Sequence, residues 1–113
     1  MEFSEFKEKV KNVGMEEIRK DSHNYFEAVI FKDKIKDLTG VLNDFFGPPT
    51  PIWFLNDKSS YKIDEILKSF GSIRKGQTIY LRDSEGFIVI AMLWPWNDGR
   101  HTTVKVIKKE IIV

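Results

Sequence analysis

Cysteine is absent from this chain of 113 residues, which excludes disulfides, thiolate metal sites and cysteine nucleophiles. Long apolar runs are also absent. The longest, Phe87 to Trp94, spans eight residues, whereas a membrane helix needs about 20. The first ten residues contain three glutamates and no apolar stretch of the kind that marks a secretory signal. These features predict a cytoplasmic protein with no membrane partner.

A large excess of charge is missing as well. The formal net charge is +1, so nucleic acid is not favoured as a general partner. The halves differ, because residues 1–57 carry a net charge of −3 and residues 58–113 carry +4. No acid lies between Ile66 and Arg82. Any anionic partner would therefore bind on the C-terminal side, although basic side chains near helix ends and strand starts are more often simply solvated.

The overall composition is that of a folded domain. Hydrophobic residues make up 42% of the chain and charged residues 31%, and aromatic residues make up 13%. Disordered chains are much poorer in hydrophobic residues. No linker or internal repeat interrupts the sequence, so we expect residues 1–113 to form one globular domain with one core.

The N-terminal segment predicts a helix. Apolar residues recur every three or four positions from Phe3 to Val13, as they do on one face of a helix. Ser4 is its predicted N-cap and Gly14 its predicted stop.

The following segment favours a hairpin. Met15 to Lys20 precedes a turn-rich tetrad, Asp21 to Asn24, and the tetrad precedes the strand-like Tyr25 to Phe31. We predict that Met15 to Lys20 forms a short edge strand. The alternative is that it forms a helix, which would leave four strands instead of five.

A second helix is predicted after residue 33, with Asp33 as its cap and Gly47-Pro48 as its end. Its apolar face consists of Ile35, Leu38, Leu42 and Phe45. Gly40 lies in its middle. Because glycine costs a helix about 1 kcal/mol relative to alanine, we expect Gly40 to mark a close crossing with another element.

The remaining pattern predicts an extended connection over Pro48 to Pro51, a third helix over Tyr61 to Phe70, and then three strands. The strands are Thr78 to Leu81, Phe87 to Trp94 and Thr102 to Lys108, with turns at Asp83 to Gly86 and Asn97 to Arg100. The predicted fold is therefore α+β, with helices packed on a mainly antiparallel sheet of four or five strands that ends in a C-terminal meander.

The central strand of the meander is apolar on both faces, which a half-exposed strand would not be. One face carries Phe87, Val89, Ala91 and Leu93, and the other carries Ile88, Ile90, Met92 and Trp94. Two arrangements satisfy this pattern. The helices cover both faces, or they cover one face while the other packs against a second copy in a homodimer.

The segment Gly71 to Thr78 has the glycine spacing of a phosphate-binding P-loop, but Gln77 stands where that motif needs lysine. A helix is predicted before this segment and a strand after it, the reverse of the P-loop order. Nucleotide hydrolysis is therefore excluded here. Arg74 and Lys75 on this loop could still hold a carboxylate or phosphate, although a basic connector is the commoner role of such a segment.

The best candidate for a ligand site is the end of the central strand. Trp94 and Trp96 precede a turn that carries Asp98, Arg100 and His101, and together these five residues could form an aromatic wall with a polar rim. The alternative is structural, with Trp94 in the core and Trp96 covering the hairpin.

No catalytic residue, cofactor or metal site is predicted. His23 and His101 have no acid or histidine at ligand spacing on a predicted helix or strand. The sequence favours a non-enzymatic module that binds a small-molecule or protein ligand through the Trp94 to His101 rim and the loop carrying Arg74 and Lys75. Two alternatives are a small enzyme acting on an anionic substrate, with Asp98 or His101 as acid or base, and single-stranded nucleic-acid binding.

Overall fold

The computed structural model describes residues 2–50, 77–84 and 86–110. The elements in these ranges are α1 (Phe3–Asn12), β1 (Glu17–Asp21), β2 (Tyr25–Phe31), a 3-10 turn (Lys32–Lys34), α2 (Ile35–Phe46), β3 (Thr78–Ser84), β4 (Phe87–Pro95) and β5 (His101–Glu110). The predicted α+β fold is confirmed. The predicted third helix and the loop carrying Arg74 and Lys75 lie outside the described residues. Neither α1 nor α2 has the length and apolar character needed to cross a membrane.

The strands form one antiparallel sheet of five in the order β1-β2-β5-β4-β3. The β1–β2 hairpin and the β3–β4–β5 meander are joined because β2 pairs with β5 over its whole length, from Tyr25 opposite Ile107 to Phe31 opposite His101. The edge strand β1 is exposed throughout and has an irregular register between Ile18 and Lys20. The prediction of an edge strand rather than a helix before residue 21 is confirmed.

Both predicted helix caps are wrong. Glu2, not Ser4, occupies the N-cap position of α1, and Lys34, not Asp33, occupies that of α2. The reason at α2 is a 3-10 turn that leads directly into the helix, so that the Lys32 carbonyl accepts a hydrogen bond from the Ile35 amide. A backbone carbonyl therefore satisfies an amide that a side-chain cap would otherwise serve.

Gly40 does not mark a close crossing. A Cβ atom placed there would meet no atom within 4 Å, and the residue is exposed. The expectation of a tight contact is therefore wrong for the described part of the chain. Gly40 costs α2 about 1 kcal/mol relative to alanine, and no contact in the described residues explains its presence.

The meander is longer than predicted. Asp83 and Ser84, assigned to a turn, belong to β3, where Ser84 pairs with Phe87. Gly86, just before β4, adopts a positive φ of 85°, which glycine tolerates without steric cost. Because the strands stay paired up to this turn, polar residues that resemble a loop in sequence are held in the ladder.

The helices pack on one face of the sheet, which we call the first face. Its centre is aromatic: the Phe6 ring of α1 stacks on the Phe45 ring of α2 with centroids 4.0 Å apart and planes inclined by 13°. The Phe46 ring meets Phe6 edge-on at 5.4 Å. Strand residues of the first face complete this cluster, including Val89, Ala91, Leu93, Val104 and Val106.

The opposite face, which we call the second face, carries its own buried cluster of Ile79, Ile88, Ile90, Met92 and Ile107. Ile90 is fully buried there. The prediction that β4 has two buried faces is confirmed, with the predicted residues on each. Among the described elements, α1 and α2 contribute side chains to the first cluster only. A homodimer through a sheet face stays a prediction, but this face is already buried within one chain.

Asp21 attaches the edge strand β1 to α1. Its carboxylate lies 3.0 Å from Lys7 Nζ and 2.7 Å from Lys11 Nζ. Lys7 also donates a hydrogen bond to the Ser22 carbonyl at 3.0 Å. The hydrogen bonds from Lys11 and Lys7 hold the pKa of Asp21 below its usual value.

The variant Asp21→Asn should be less stable than the wild type at neutral pH but not at low pH. Because the folded-state pKa of Asp21 is depressed, its stabilisation is complete above the unfolded-state value of about 3.9 and is lost as pH falls through the folded-state value. The Lys7–Asp21 pair should contribute about 0.2–1 kcal/mol to the free energy of unfolding, as is typical of ion pairs at a protein surface.

Urea denaturation of both proteins measures this, and the two free energies of unfolding should converge as the pH falls from about 5. Asp44→Asn is the matched control, since Asp44 is exposed and has no ion pair among the described residues. A deficit in Asp21→Asn that persists in strong acid would contradict the assignment.

Candidate functional site

The two tryptophans at the end of β4 have different environments. Trp94 is partly buried and packs against the second-face cluster, with the Lys105 ammonium 4.0 Å from its ring centroid. Its indole Nε1 is buried and has no hydrogen-bond partner among the described residues. Trp96 is 38% exposed, and its Nε1 donates a hydrogen bond to Thr103 Oγ1 at 2.8 Å. Trp96 therefore folds back over β5.

Asp98 organises the turn between β4 and β5. Its Oδ1 accepts hydrogen bonds from the backbone amides of Arg100 at 2.8 Å and His101 at 3.0 Å. Its Oδ2 lies 2.6 Å from His101 Nδ1. The Arg100 amide, followed by the His101 side chain, lowers the pKa of Asp98 to about 2. Asp98 is therefore ionised at neutral pH and holds the His101 ring in place.

The structure brings together three of the predicted site residues, Trp96, Asp98 and His101. The His101 ring lies 4.9 Å from that of Trp96, and the Arg19 guanidinium lies 5.6 Å from the Trp96 ring on the same face. Arg100 is exposed at the turn. A carboxylate bound to Nδ1 orients an imidazole as in acid-base catalysis, but here the same carboxylate also closes a turn. The assignment of these residues to a ligand site stays a prediction.

A different feature provides a partly enclosed site. A pocket of about 380 Å³, which we call the helix-end pocket, opens on the first face where α1 begins and α2 ends. Its aromatic lining consists of Phe3, Phe45 and Phe87, and its basic lining consists of Lys7, Arg82 and Lys108. Glu2, Ser4 and His23 complete it. The sequence did not predict this combination.

Arg82 and Lys108 enter this pocket from a single row across the sheet. Both pair with Val89 of β4, from β3 on one side and β5 on the other. Neighbouring strands lie about 4.8 Å apart, so the two backbones are separated by about 10 Å. The side chains therefore flank a space wide enough for a small ligand between them.

The two cations in this row lie over aromatic rings. The Arg82 guanidinium lies 4.4 Å from the Phe45 ring centroid, and the Lys108 ammonium lies 4.6 Å from that of Phe87 and 5.6 Å from that of Phe3. Among the described residues, neither Arg82 nor Lys108 forms an ion pair with a carboxylate. Both cations are therefore available to an anion.

Arg82 also has a structural contact. Its Nη1 donates a hydrogen bond to the Phe45 carbonyl at 3.1 Å, at the C-terminal end of α2. A cation is favourable there because the last carbonyls of a helix carry partial negative charge. A guanidinium has five N–H donors, so this single bond leaves most of them for a second acceptor.

The rest of the lining adjusts the charge of the pocket. Lys7 is neutralised by Asp21 at 3.0 Å, and Glu2 contributes one negative charge at the rim. Glu2 forms no side-chain cap at the start of α1, so the partial positive charge of the first turn faces the same region. Among the described lining residues, Arg82 and Lys108 therefore leave a net positive charge.

A signal for this pocket was present in the sequence. Along β5, the inward positions are Val104, Val106 and then Lys108, and along β3 Tyr80 is followed two residues later by Arg82. Alternation places residues two apart on the same face, so a basic residue that continues an inward apolar series lies beside the core. Such a residue marks the place where the core ends or a pocket begins.

Within the described ranges, no three histidine or carboxylate side chains converge as a metal site would require. In comparisons with known proteins, no family model, no curated protein and no solved structure matched this chain.

Proposed function

We propose that the protein is a cytoplasmic, non-enzymatic binding module whose helix-end pocket holds a small anionic ligand with a flat apolar group. The observation that carries this proposal is the row of Arg82 and Lys108, two cations that contact aromatic rings and have no ion pair among the described residues. A carboxylate or phosphate between them would supply the missing negative charge, since a guanidinium binds either in a bidentate manner.

The apolar part of the ligand follows from the rings. Phe3, Phe45 and Phe87 present aromatic surface to the same space as the two cations. Ligand sites commonly combine apolar walls with a few polar groups that fix the orientation. An aromatic acid or an aromatic phosphate ester satisfies both parts of the lining, whereas inorganic phosphate satisfies only the charged part.

The test is a titration of the ¹⁵N-labelled protein with phenyl phosphate, benzoate and benzyl alcohol, followed by amide chemical shifts. The two anions should shift the amides around Ser4, Arg82 and Lys108, and the uncharged alcohol should bind more weakly. Removing one charged hydrogen-bond partner costs about 1.5–3 kcal/mol, so Arg82→Gln and Lys108→Gln should each weaken anion binding by about tenfold or more.

Arg100→Gln is the matched control, because it removes one arginine charge at an exposed turn outside the pocket. Arg82→Gln also loses the bond to the Phe45 carbonyl, whereas Lys108→Gln leaves that bond in place. If Arg100→Gln weakened anion binding equally, the anions would be attracted only by the net charge of the protein. Anions that cause no shifts around the pocket at millimolar concentration would overturn the proposal.

A further inference from the structure

A shallow, open groove lies between α1 and α2 at the end of the helix pair opposite the helix-end pocket. It has a volume of about 670 Å³ and is built from the C-terminal half of α1 and the N-terminal half of α2. A Cβ atom placed at Gly14, just after α1, would lie 3.8 Å from Cε of Lys34, so the Lys34 side chain reaches the end of α1. Val13 and Val41, both partly buried against the first-face cluster, supply its apolar lining. We call it the interhelical groove.

The groove is positively charged. Its described lining includes Lys9, Lys34 and Lys36 together with one acid, Asp37. Among the described residues, none of these three lysines forms an ion pair. The first turn of α2 lies beside them and adds partial positive charge. The surface is therefore complementary to an acidic partner.

Gly40 leaves the middle of the groove without a side chain. It is exposed, a Cβ atom there would meet nothing within 4 Å, and it lowers the stability of α2. Contacts within the described chain therefore give no reason for glycine at this position. A partner that approaches the α2 backbone closely would give one, since small residues allow helices to pack at short distance.

We propose that the interhelical groove docks an acidic amphipathic helix of a partner protein. Its small apolar side chains pack over Gly40 between Val13 and Val41, and its carboxylates meet the three lysines. This is the helix-in-groove mode of peptide recognition. Nucleic acid is the less suitable partner, because the described lining of the groove contains valines and no aromatic side chain on which a base could stack.

The experiment uses a fluorescein-labelled helical peptide of about 16 residues, or about four turns, with alanine and leucine on one face and glutamate on its flanks. Fluorescence anisotropy measures its binding to the full chain. Gly40→Gln should weaken binding by about tenfold, or about 1.4 kcal/mol, and should raise the urea midpoint because glutamine favours helix. The combined Lys9→Gln, Lys34→Gln and Lys36→Gln variant should weaken binding at least as much.

The opposite responses of stability and binding separate docking from damage to the fold. Asn43→Gln is the control on α2, and Lys20→Gln with Lys32→Gln and Lys109→Gln is the control of equal charge; all four are exposed and lie outside the groove. The same peptide with lysine in place of glutamate should not bind. Unchanged affinity in Gly40→Gln, no binding at a peptide concentration of about 1 mM, or tighter binding of a single-stranded oligonucleotide at this groove would each overturn the proposal.

Discussion

Phe6→Ala should lower the free energy of unfolding by about 3–5 kcal/mol, the usual cost of replacing a buried phenylalanine with alanine. Phe6 is fully buried, stacks on Phe45 at 4.0 Å and meets Phe46 edge-on at 5.4 Å. Its removal would open a cavity at the contact between α1 and α2, and it would also remove three aromatic contacts, with Phe3, Phe45 and Phe46. Such contacts add about 0.5–1.5 kcal/mol each beyond burial. Urea denaturation followed by circular dichroism measures the loss.

Two controls separate the stacked position from aromatic character in general. Phe6→Leu keeps most of the apolar volume and should cost clearly less than alanine. Phe3→Ala removes an aromatic residue from the same helix, but Phe3 is only partly buried and should also cost less. A Phe6→Ala variant no less stable than Phe3→Ala would show that the stacked pair does not hold the two helices together.

The strands of this fold could be predicted from sequence because alternation determines which face each side chain takes. The assignment of Val89, Ala91 and Leu93 to one face and Ile88, Ile90 and Met92 to the other is confirmed. Strand ends were less well predicted. Asp83 and Ser84 are turn formers by type, yet pairing with β4 holds them in β3, so the ladder outweighs their local preference.

The helix starts could not be predicted because N-cap preferences are weak. A good cap contributes about 1 kcal/mol, and Ser4 would have supplied one. Instead Phe3 joins the helix and packs against the first-face cluster. Full burial of an aromatic side chain contributes about 1.5–3 kcal/mol, so even the partial burial of Phe3 can match the value of a cap. Tertiary packing therefore decides where α1 begins.

The candidate pocket was missed because its lining comes from all parts of the chain. Phe3, Phe45, Arg82 and Lys108 belong to four different elements, and no local motif contains two of them. The residues that cluster in the sequence, Trp94 to His101, were the predicted site instead. Those residues are indeed close in space, but their described contacts largely organise the β4–β5 hairpin. Polar residues that are adjacent in sequence more often stabilise a turn than form a ligand site.

The two proposed surfaces lie at opposite ends of one helix pair. The stacked Phe6 and Phe45 rings fix α1 against α2, and the helix-end pocket begins beside them, with Phe45 in its wall. The interhelical groove uses the other end of both helices. Because the same packing positions both surfaces, a Phe6 variant could lose binding at either surface simply because the fold is damaged. Lys108 and Gly40 can each be changed without altering the contact between Phe6 and Phe45.

Ile90→Ala should lower the free energy of unfolding by about 2–5 kcal/mol, as expected for truncation of a buried isoleucine. Ile90 lies at the centre of the second-face cluster, between Leu81 of β3 and Ile107 of β5, and is fully buried. Alanine would leave a cavity between three strands whose backbones are fixed by ladder hydrogen bonds, so the site has little freedom to collapse.

The exposed Ile18 provides a matched isoleucine. It is 49% exposed on the edge strand, and Ile18→Ala should change stability by no more than about 0.5 kcal/mol, as surface substitutions usually do. An Ile90→Ala loss as small as that of Ile18→Ala would contradict burial of the second face. Repeating the denaturation at several protein concentrations tests the homodimer as well. If a second copy covered Ile90, the midpoint would rise with concentration, whereas burial within one chain predicts a midpoint independent of concentration.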